Sequence, residues 1–233
     1  MSYPPVKVIK KSSLIVTIMT ALVLALGVKI FGVELFRVSS TSMAPTLLPG
    51  DYVLVVKGAY GYTRHSFPWE MSFRDTLMQR DVSRGDIVVF HQSGAPSNPW
   101  IKRVVGLPGE RVRMMAGAVC VDGATCPLLT HPFTPLHEEI LPEGVRYFVT
   151  CSPQDTSSQR VPEGAYFVLG DARDNSKDSR HMEVGPIYHT QLLGQARWIL
   201  WSCAPQGPSN ESFFPRVRWA RFFTSLTHKS PSL

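Results

Sequence analysis

Two residue types, far apart in the chain, have the chemistry of a nucleophile and a base. Ser42 lies just before Pro45, whose ring disfavours a helical conformation in the residue before it, so an extended or turning backbone is predicted here. Lys102 lies in the apolar run Ile101–Val105. A serine hydroxyl is a weak nucleophile unless a neighbouring group accepts its proton, and a lysine accepts it only where burial or nearby charge keeps part of the lysine neutral. The sequence therefore predicts a serine nucleophile that is served by a lysine base.

The run around Lys102 is predicted to be a β-strand. Side chains alternate between the two faces of a strand, which places Trp100 and Val104 on the same face as Lys102. Large apolar neighbours lower the pKa of a lysine, as a general base near neutral pH requires. Arg103 belongs to the opposite face, where we expect it to remain solvated.

A third segment, from Gly170 to Arg180, is a turn-rich loop of mixed charge. It lacks the spacing and the terminal glutamate of an EF-hand, and the chain has no second closely spaced Cys/His pair for zinc. We therefore expect no metal and no cofactor. We expect the loop to supply a hydroxyl that orients the lysine amine and an Asp–Arg pair that holds the loop.

An apolar run from Ser13 to Val33 precedes all of these residues. A helix of that length, at roughly 1.5 Å per residue, spans about 30 Å of hydrocarbon. The lysines that precede the run favour a cytoplasmic N-terminus; they are Lys7, Lys10 and Lys11. We therefore predict a cytoplasmic segment 1–12, one transmembrane anchor over 13–33, and a chain that emerges on the outer face before Ser42.

Two other interpretations of the apolar run are open. Ala25-Leu26-Gly27 has the small-x-small pattern of a signal-peptide cleavage site, although the apolar character continues to Val33. A buried helix of a soluble domain is a third interpretation, which the basic flank disfavours.

The composition agrees with a membrane partner. The 233 residues carry a formal net charge of +6, which suits nucleic acid or an anionic membrane surface. None of the usual nucleic-acid motifs is present, so we expect membrane lipid and no nucleic acid as a partner.

The patterning beyond residue 34 is that of a mainly β protein. Short β-branched runs follow turn residues, and long 3.6-residue periodicity is absent. We predict an antiparallel β-sheet catalytic domain over 34–113 and 161–222, an inserted smaller β-region over 114–160 that is non-catalytic, and a tail over 223–233, in addition to the N-terminal transmembrane helix. Residues 58–79 are predicted to form a loop or flap.

The chain has four cysteines. Cys120 and Cys126 flank a turn-like stretch, and two strands joined by such a turn would bring the thiols close enough for a disulfide. Two reduced thiols are the alternative interpretation. The sequence does not choose among the pairings that involve Cys151 and Cys203.

Four stretches, in this order, resemble the sequence boxes of bacterial type I signal peptidases, the peptidase family S26. They are Ser40 to Leu47, Gly85 to Phe90, Lys102 to Gly109 and Gly170 to Arg180. The resemblance implies a membrane-anchored serine endopeptidase that removes N-terminal signal peptides from exported preproteins and cleaves after small residues. It also implies a location in the bacterial inner membrane, with the catalytic domain on the periplasmic or outer face.

The resemblance carries roles onto matching positions of this chain. Ser42 would be the nucleophile and Lys102 the base. Ser40 and the Ser42 N–H would form the oxyanion hole, and Ser176 would hydrogen-bond and orient Lys102. The Asp178–Arg180 pair would brace the site. Shallow pockets for small side chains would be lined by Met43, Leu47, Trp100 and Ile101.

One departure concerns the substrate. After Arg180 the chain runs from His181 to Ile187 through Gly185-Pro186, where the family usually has two aromatic residues and then glycine. That stretch is similar to the related conjugative-transfer peptidases, so the processing of a pilin precursor is the alternative function. A Ser-His-Asp hydrolase is disfavoured, because none of the seven histidines lies in a motif of a catalytic base and no Gly-x-Ser-x-Gly elbow is present.

Overall fold

A computed structural model describes residues 11–63, 76–92, 95–204 and 216–227 of the chain. Helix α1, Lys11–Phe31, comes first. Many of its apolar side chains are exposed, namely Leu14, Ile15, Val16, Ile18, Met19, Leu22 and Val23. No helix within the described ranges has both the length and the apolar character needed to cross a membrane. The predicted anchor over 13–33 stays a prediction.

Within the described ranges, fifteen β-strands follow helix α1. The first eight are β1 Val33–Arg37, β2 Asp51–Val56, β3 Ile87–Gln92, β4 Ala95–Gly106, β5 Arg111–Met115, β6 Ala118–Val121, β7 Ala124–Thr125 and β8 Leu128–Thr130. The others are β9 His137–Ile140, β10 Arg146–Val149, β11 Gln159–Arg160, β12 Ala165–Leu169, β13 Ile187–Tyr188, β14 Leu192–Ser202 and β15 Thr224–Ser225. Short 3-10 turns lie at Pro142–Gly144, Arg173–Asn175, His189–Gln191 and Trp219–Arg221.

The strands form three sheets whose pairings are all antiparallel. The main sheet has eight strands in the order β1-β2-β14-β3-β4-β12-β13, with β15 paired to β14. A four-stranded sheet has the order β11-β5-β6-β7, and a three-stranded sheet has the order β10-β9-β8. The predicted mainly antiparallel β fold is confirmed. Of the predicted loop over 58–79, residues 64–75 lie outside the described residues.

The two smaller sheets pack on the main sheet rather than around a separate core. One buried cluster joins Val105 of β4 and Phe167 of β12 to Val112 of β5, Val119 of β6 and Tyr147 of β10. Burying apolar area of this kind stabilises a fold by about 25 cal/mol per Å² removed from water. The region predicted as an insertion therefore shares its core with the strands that carry Lys102.

The predicted disulfide between Cys120 and Cys126 is wrong, because both residues are buried free thiols in the structure. Strand register is the physical reason. Cys120 is paired with Thr125, and the Cys126 N–H donates to the Val119 carbonyl at 2.7 Å. Neighbours along a strand face opposite sides, so the two thiols point away from each other. Cys126 joins the shared core, and burial raises the pKa of its thiol to about 12.

Two glycines with positive φ provide a test of this packing. Gly50 has φ +89° and Gly123 has φ +86°, and a Cβ at Gly50 would lie 1.8 Å from the Cys203 carbonyl oxygen, while one at Gly123 meets nothing within 4 Å. Gly123→Ala is expected to cost about 1–2 kcal/mol, the price of a left-handed side-chain residue. Gly50→Ala is expected to lower the thermal unfolding midpoint clearly further. Equal midpoints for the two variants would contradict the close contact with Cys203.

Candidate active site

Ser42 and Lys102 are in direct contact. The Lys102 Nζ donates to the Ser42 Oγ at 2.7 Å, and both residues are buried, with 4% and 7% exposure for the lysine and the serine. Ser42 lies in a turn that is closed by the Ala44 N–H to the Thr41 carbonyl at 2.9 Å. Lys102 lies on β4, which is hydrogen-bonded to β3 and β12 inside the main sheet. The fold therefore brings together the two residues that sequence chemistry paired.

The environment of Lys102 shifts the equilibrium of its amine toward the neutral form. Burial is the largest cause and lowers the pKa of this amine from 10.5 to about 8, against the opposing charges of Asp178 and Asp171. Arg180 lowers the pKa a little further. The Nζ lies 5.7 Å from the centre of the Trp100 ring, as the predicted strand alternation requires. Among the described residues, Lys102 forms no ion pair.

Arg103, the next residue, is also buried, but its charge is fully paired. Its guanidinium is 1% exposed and donates to both carboxylate oxygens of Asp171, at 2.8 and 2.7 Å. A third bond runs to the Gly85 carbonyl at 2.9 Å, and the Tyr147 ring lies 4.0 Å from the guanidinium carbon. The expectation that Arg103 is solvated was wrong. The predicted opposite face exists, but Tyr147 of strand β10 covers it.

The segment after β12 contacts the turn that carries Ser42 from behind. The Ala172 N–H donates to the Ser42 carbonyl at 3.1 Å. The Thr46 hydroxyl donates to the Asp171 carboxylate at 2.5 Å. These contacts join the turn that carries Ser42 to the ion pair of Arg103, the neighbour of Lys102.

The predicted Asp–Arg pair of this segment is present. The Arg180 Nε lies 2.7 Å from the Asp178 carboxylate, which is fully buried and also accepts the Gly170 N–H at 3.0 Å. Arg180 donates to the Arg173 carbonyl at 2.7 Å as well. The pair therefore fixes both ends of the loop, as expected for a brace.

Ser176 does not make the contact that was expected of it. Its hydroxyl is buried and has no hydrogen-bond partner within the described part of the chain, so it does not orient Lys102 in this structure. Ser176 instead packs against Gly170, where an added Cβ would lie 2.2 Å from the hydroxyl oxygen. The lysine amine is directed by the Ser42 Oγ instead.

Ser40 lies close to Ser42. The Ser42 backbone N–H donates to the Ser40 Oγ at 3.1 Å, and Ser40 is exposed. Because the Ser40 oxygen accepts this bond, its own O–H remains a donor. A backbone donor and a hydroxyl donor are therefore adjacent at the mouth of the site.

A cleft of about 540 Å³ opens over Ser42 and Lys102. Trp100 and Ile101 line it, as predicted. Met43 and Leu47 do not, because both are fully buried in the core with Val53, Val55 and Ile199, so their predicted role in substrate binding is wrong. Both side chains therefore point into the core and away from the cleft. No group of residues suited to a metal ion occurs among those described.

Several cleft residues were not predicted from the sequence. The apolar ones are Phe36, Val38 and Val89; the polar or charged ones are Arg37, Ser39, Asn98, Asn175 and Lys177; and Pro99 completes the lining. The apolar residues among Leu35–Val38, shortly before Ser42, were the available sequence signal for Phe36 and Val38. The remainder come from strands and loops that are distant in sequence.

The family model and the sequence relatives agree on one family. The family model for signal peptidase, peptidase S26, matches residues 11–201. Signal peptidase I of Rickettsia typhi is 33% identical over 202 residues, which cover 77% of this chain and 76% of that protein. Signal peptidase I of Rickettsia prowazekii is 33% identical over the same length and coverage. A crystal structure of a signal peptidase I from Enterococcus faecalis has a TM-score of 0.33 and 25% identity, covering 50% of this chain and 97% of that one.

The Arg103–Asp171 pair provides a test of the site's stability. Breaking a buried ion pair typically costs about 3–5 kcal/mol, because it leaves an uncompensated charge out of water. Arg103→Met is therefore expected to lower the unfolding midpoint strongly. Arg146→Met is the matched control, since Arg146 and Glu138 form an exposed pair at 3.7 Å, of a kind worth about 0–1 kcal/mol. Similar losses in both variants would contradict the burial of Arg103.

Proposed function

The chain belongs to the S26 family of signal peptidases, serine endopeptidases that remove signal peptides, and we propose that it acts through a Ser42–Lys102 dyad at a membrane surface. The observation that carries the proposal is the 2.7 Å contact between the buried Lys102 amine and the Ser42 hydroxyl. Within the described residues this amine forms no ion pair. A serine needs a proton acceptor within hydrogen-bond reach, and Lys102 has both the distance and the desolvation that make it one.

In the proposed mechanism the neutral Lys102 Nζ takes the Ser42 proton while the Ser42 Oγ attacks the scissile carbonyl. The resulting ammonium then gives that proton to the leaving amine, and the acyl-enzyme is hydrolysed by water that Lys102 deprotonates in turn. The Ser40 O–H and the Ser42 N–H are adjacent donors for the developing oxyanion. Binding of the substrate carbonyl would replace the bond between them.

Two further groups keep this geometry in place. The Asp178–Arg180 pair braces the loop after Gly170, and the Asp171–Arg103 pair fixes the strand that carries Lys102. No step in this mechanism uses a metal or another cofactor.

The proposed substrates are exported preproteins that carry signal peptides. The cleft side chains Phe36, Val38 and Ile101 offer an apolar surface beside the dyad. Such a surface suits the small residues that precede the scissile bond in a signal peptide. The curated relatives are named signal peptidase I, which favours general preproteins over a dedicated pilin precursor.

Membrane attachment is the remaining part of the proposal. The exposed apolar side chains of α1, such as Leu14, Met19 and Leu22, would be covered by lipid. The preceding lysines favour a cytoplasmic N-terminus. We infer a single anchor over 13–33 in the bacterial inner membrane, with the catalytic domain on its periplasmic or outer face.

Two substitutions test the dyad. Ser42→Ala and Lys102→Arg are each expected to abolish cleavage of a preprotein by the detergent-solubilised chain, because one removes the nucleophile and the other keeps the charge but cannot lose a proton at neutral pH. Ser158→Ala, an exposed serine outside the cleft, is the control and should retain full activity. Full activity of Lys102→Arg would exclude the lysine base. Cleavage of a pilin precursor alone would overturn the preprotein assignment.

The pH dependence tests the state of Lys102. Only the neutral amine accepts a proton, so kcat/KM is expected to rise with pH up to about 8, the pKa that burial gives this lysine, and then to level off. Below that pH the rate should fall roughly tenfold per unit. An ordinary lysine would place the midpoint above 10, so a rate that still rises steeply there would contradict the desolvation of Lys102.

A further inference from the structure

A buried carboxylate from one of the smaller sheets reaches the segment behind the nucleophile. Glu139 of β9 has no exposed surface and accepts hydrogen bonds from both terminal nitrogens of Arg173, the Nη1 bond measuring 2.9 Å. The Tyr147 hydroxyl of β10 donates to Glu139 at 2.5 Å and accepts from Arg173 at 3.3 Å. Glu139 and Tyr147 thus both hydrogen-bond the Arg173 guanidinium and also each other.

Backbone hydrogen bonds also connect β10 to the segment behind Ser42. After β10, the Thr150 N–H donates to the Asp171 carbonyl at 3.0 Å, and the Arg173 N–H donates to the Thr150 carbonyl at 2.8 Å. Between them, the Ala172 N–H donates to the Ser42 carbonyl at 3.1 Å. Segment 171–173 therefore lies between the end of β10 on one side and the nucleophile on the other.

We propose that Glu139 and Tyr147 are positioning residues for the Ser42–Lys102 pair, which they hold in place through segment 171–173 and Arg103. The proposal rests on the proposed function of that pair. It gives a role in the reaction to the inserted region over 114–160, which was predicted to be non-catalytic. Neither residue touches Ser42 or Lys102, so both act through Arg173, Arg103 and the backbone.

Charge balance gives the physical reason. Two guanidiniums, Arg103 and Arg173, and two carboxylates, Asp171 and Glu139, are all at most 2% exposed. If Glu139 becomes neutral, the single carboxylate of Asp171 must serve both guanidiniums in a medium of low dielectric, where such attractions are strong. Asp171 would then shift from Arg103 toward Arg173, and it would carry Ala172 and its bond to Ser42 with it.

The same shift changes the electrostatics at Lys102. The charged groups that act on this amine are Asp171 and Asp178, which favour its protonated form, and Arg180, which opposes it. A displaced Asp171 supports the ammonium less. The neutral lysine is then favoured, so the pH at which kcat/KM reaches half of its plateau, the midpoint of its acid limb, moves to a lower value. The misplaced dyad also reacts more slowly.

The first test is Glu139→Gln in the detergent-solubilised full chain, assayed with a preprotein. The matched control is Glu138→Gln, the same change on the neighbouring residue of β9, which pairs with Arg146 outside the core. We expect kcat of Glu139→Gln to fall roughly tenfold to a hundredfold, the range that follows from small misplacements of reacting groups, with a smaller change in KM. The acid limb should move to lower pH. Glu138→Gln should match the parent in all three quantities.

Tyr147→Phe is the second variant, because Glu139→Gln removes a buried charge and can impair folding. Phenylalanine keeps the ring beside Arg103 and removes only the hydroxyl that contacts Glu139 and Arg173. We expect a smaller fall in kcat and a shift of the acid limb in the same direction. The positioning role is overturned if the folded variants keep the kcat and the pH profile of the control. This holds for Tyr147→Phe, and for Glu139→Gln where it folds, even when the unfolding midpoint of the variant is lower. An inactive parent would instead refute the proposed function.

Discussion

The burial of Lys102 beside Ser42 is the constraint on which the rest of the structure depends. A lysine removed from water gives up its proton more easily, but a paired carboxylate would restore the charged form. The fold buries the Lys102 amine on a central strand of the main sheet, in contact with the Ser42 hydroxyl. It also keeps carboxylates from pairing with the amine, because Asp171 is paired with Arg103 and Asp178 with Arg180. The nearby carboxylates are thus occupied before they can pair with the lysine.

Lys102 and Arg103 are adjacent on β4, but their buried environments favour opposite charge states. An arginine cannot lose its proton in a protein, so a buried arginine needs a full set of acceptors, and Arg103 has Asp171 and the Gly85 carbonyl. A lysine can become neutral, so it tolerates a site without a counter-ion. The strand alternation keeps these environments apart, with Ser42 next to the lysine on one face and Tyr147 over the arginine on the other.

Local sequence patterns predicted several strands of the main sheet and the pairing of Ser42 with Lys102, but not what surrounds them. The runs at Tyr52–Val56, Ile87–Phe90 and Ile101–Val105 are strands as predicted, because turn residues and β-branching act within a few positions. The failures at Cys126 and Met43 have different causes. Strand register decides which face the Cys126 thiol takes, and the depth of the core decides whether a side chain next to Ser42 lines the cleft or is buried below it.

Glu139 shows most clearly why such a contribution escapes a sequence. In His137-Glu138-Glu139-Ile140 the two glutamates are chemically identical, and strand alternation requires only that they face opposite ways. Which of them is buried depends on Arg173, more than thirty residues further along the chain, as the 34-residue separation of their hydrogen bond shows. Burying a carboxylate is costly unless a cation compensates it, so the burial of Glu139 and of Arg173 must arise together. Neither can be inferred before the packing of β9 and β10 against the segment behind Ser42 is known.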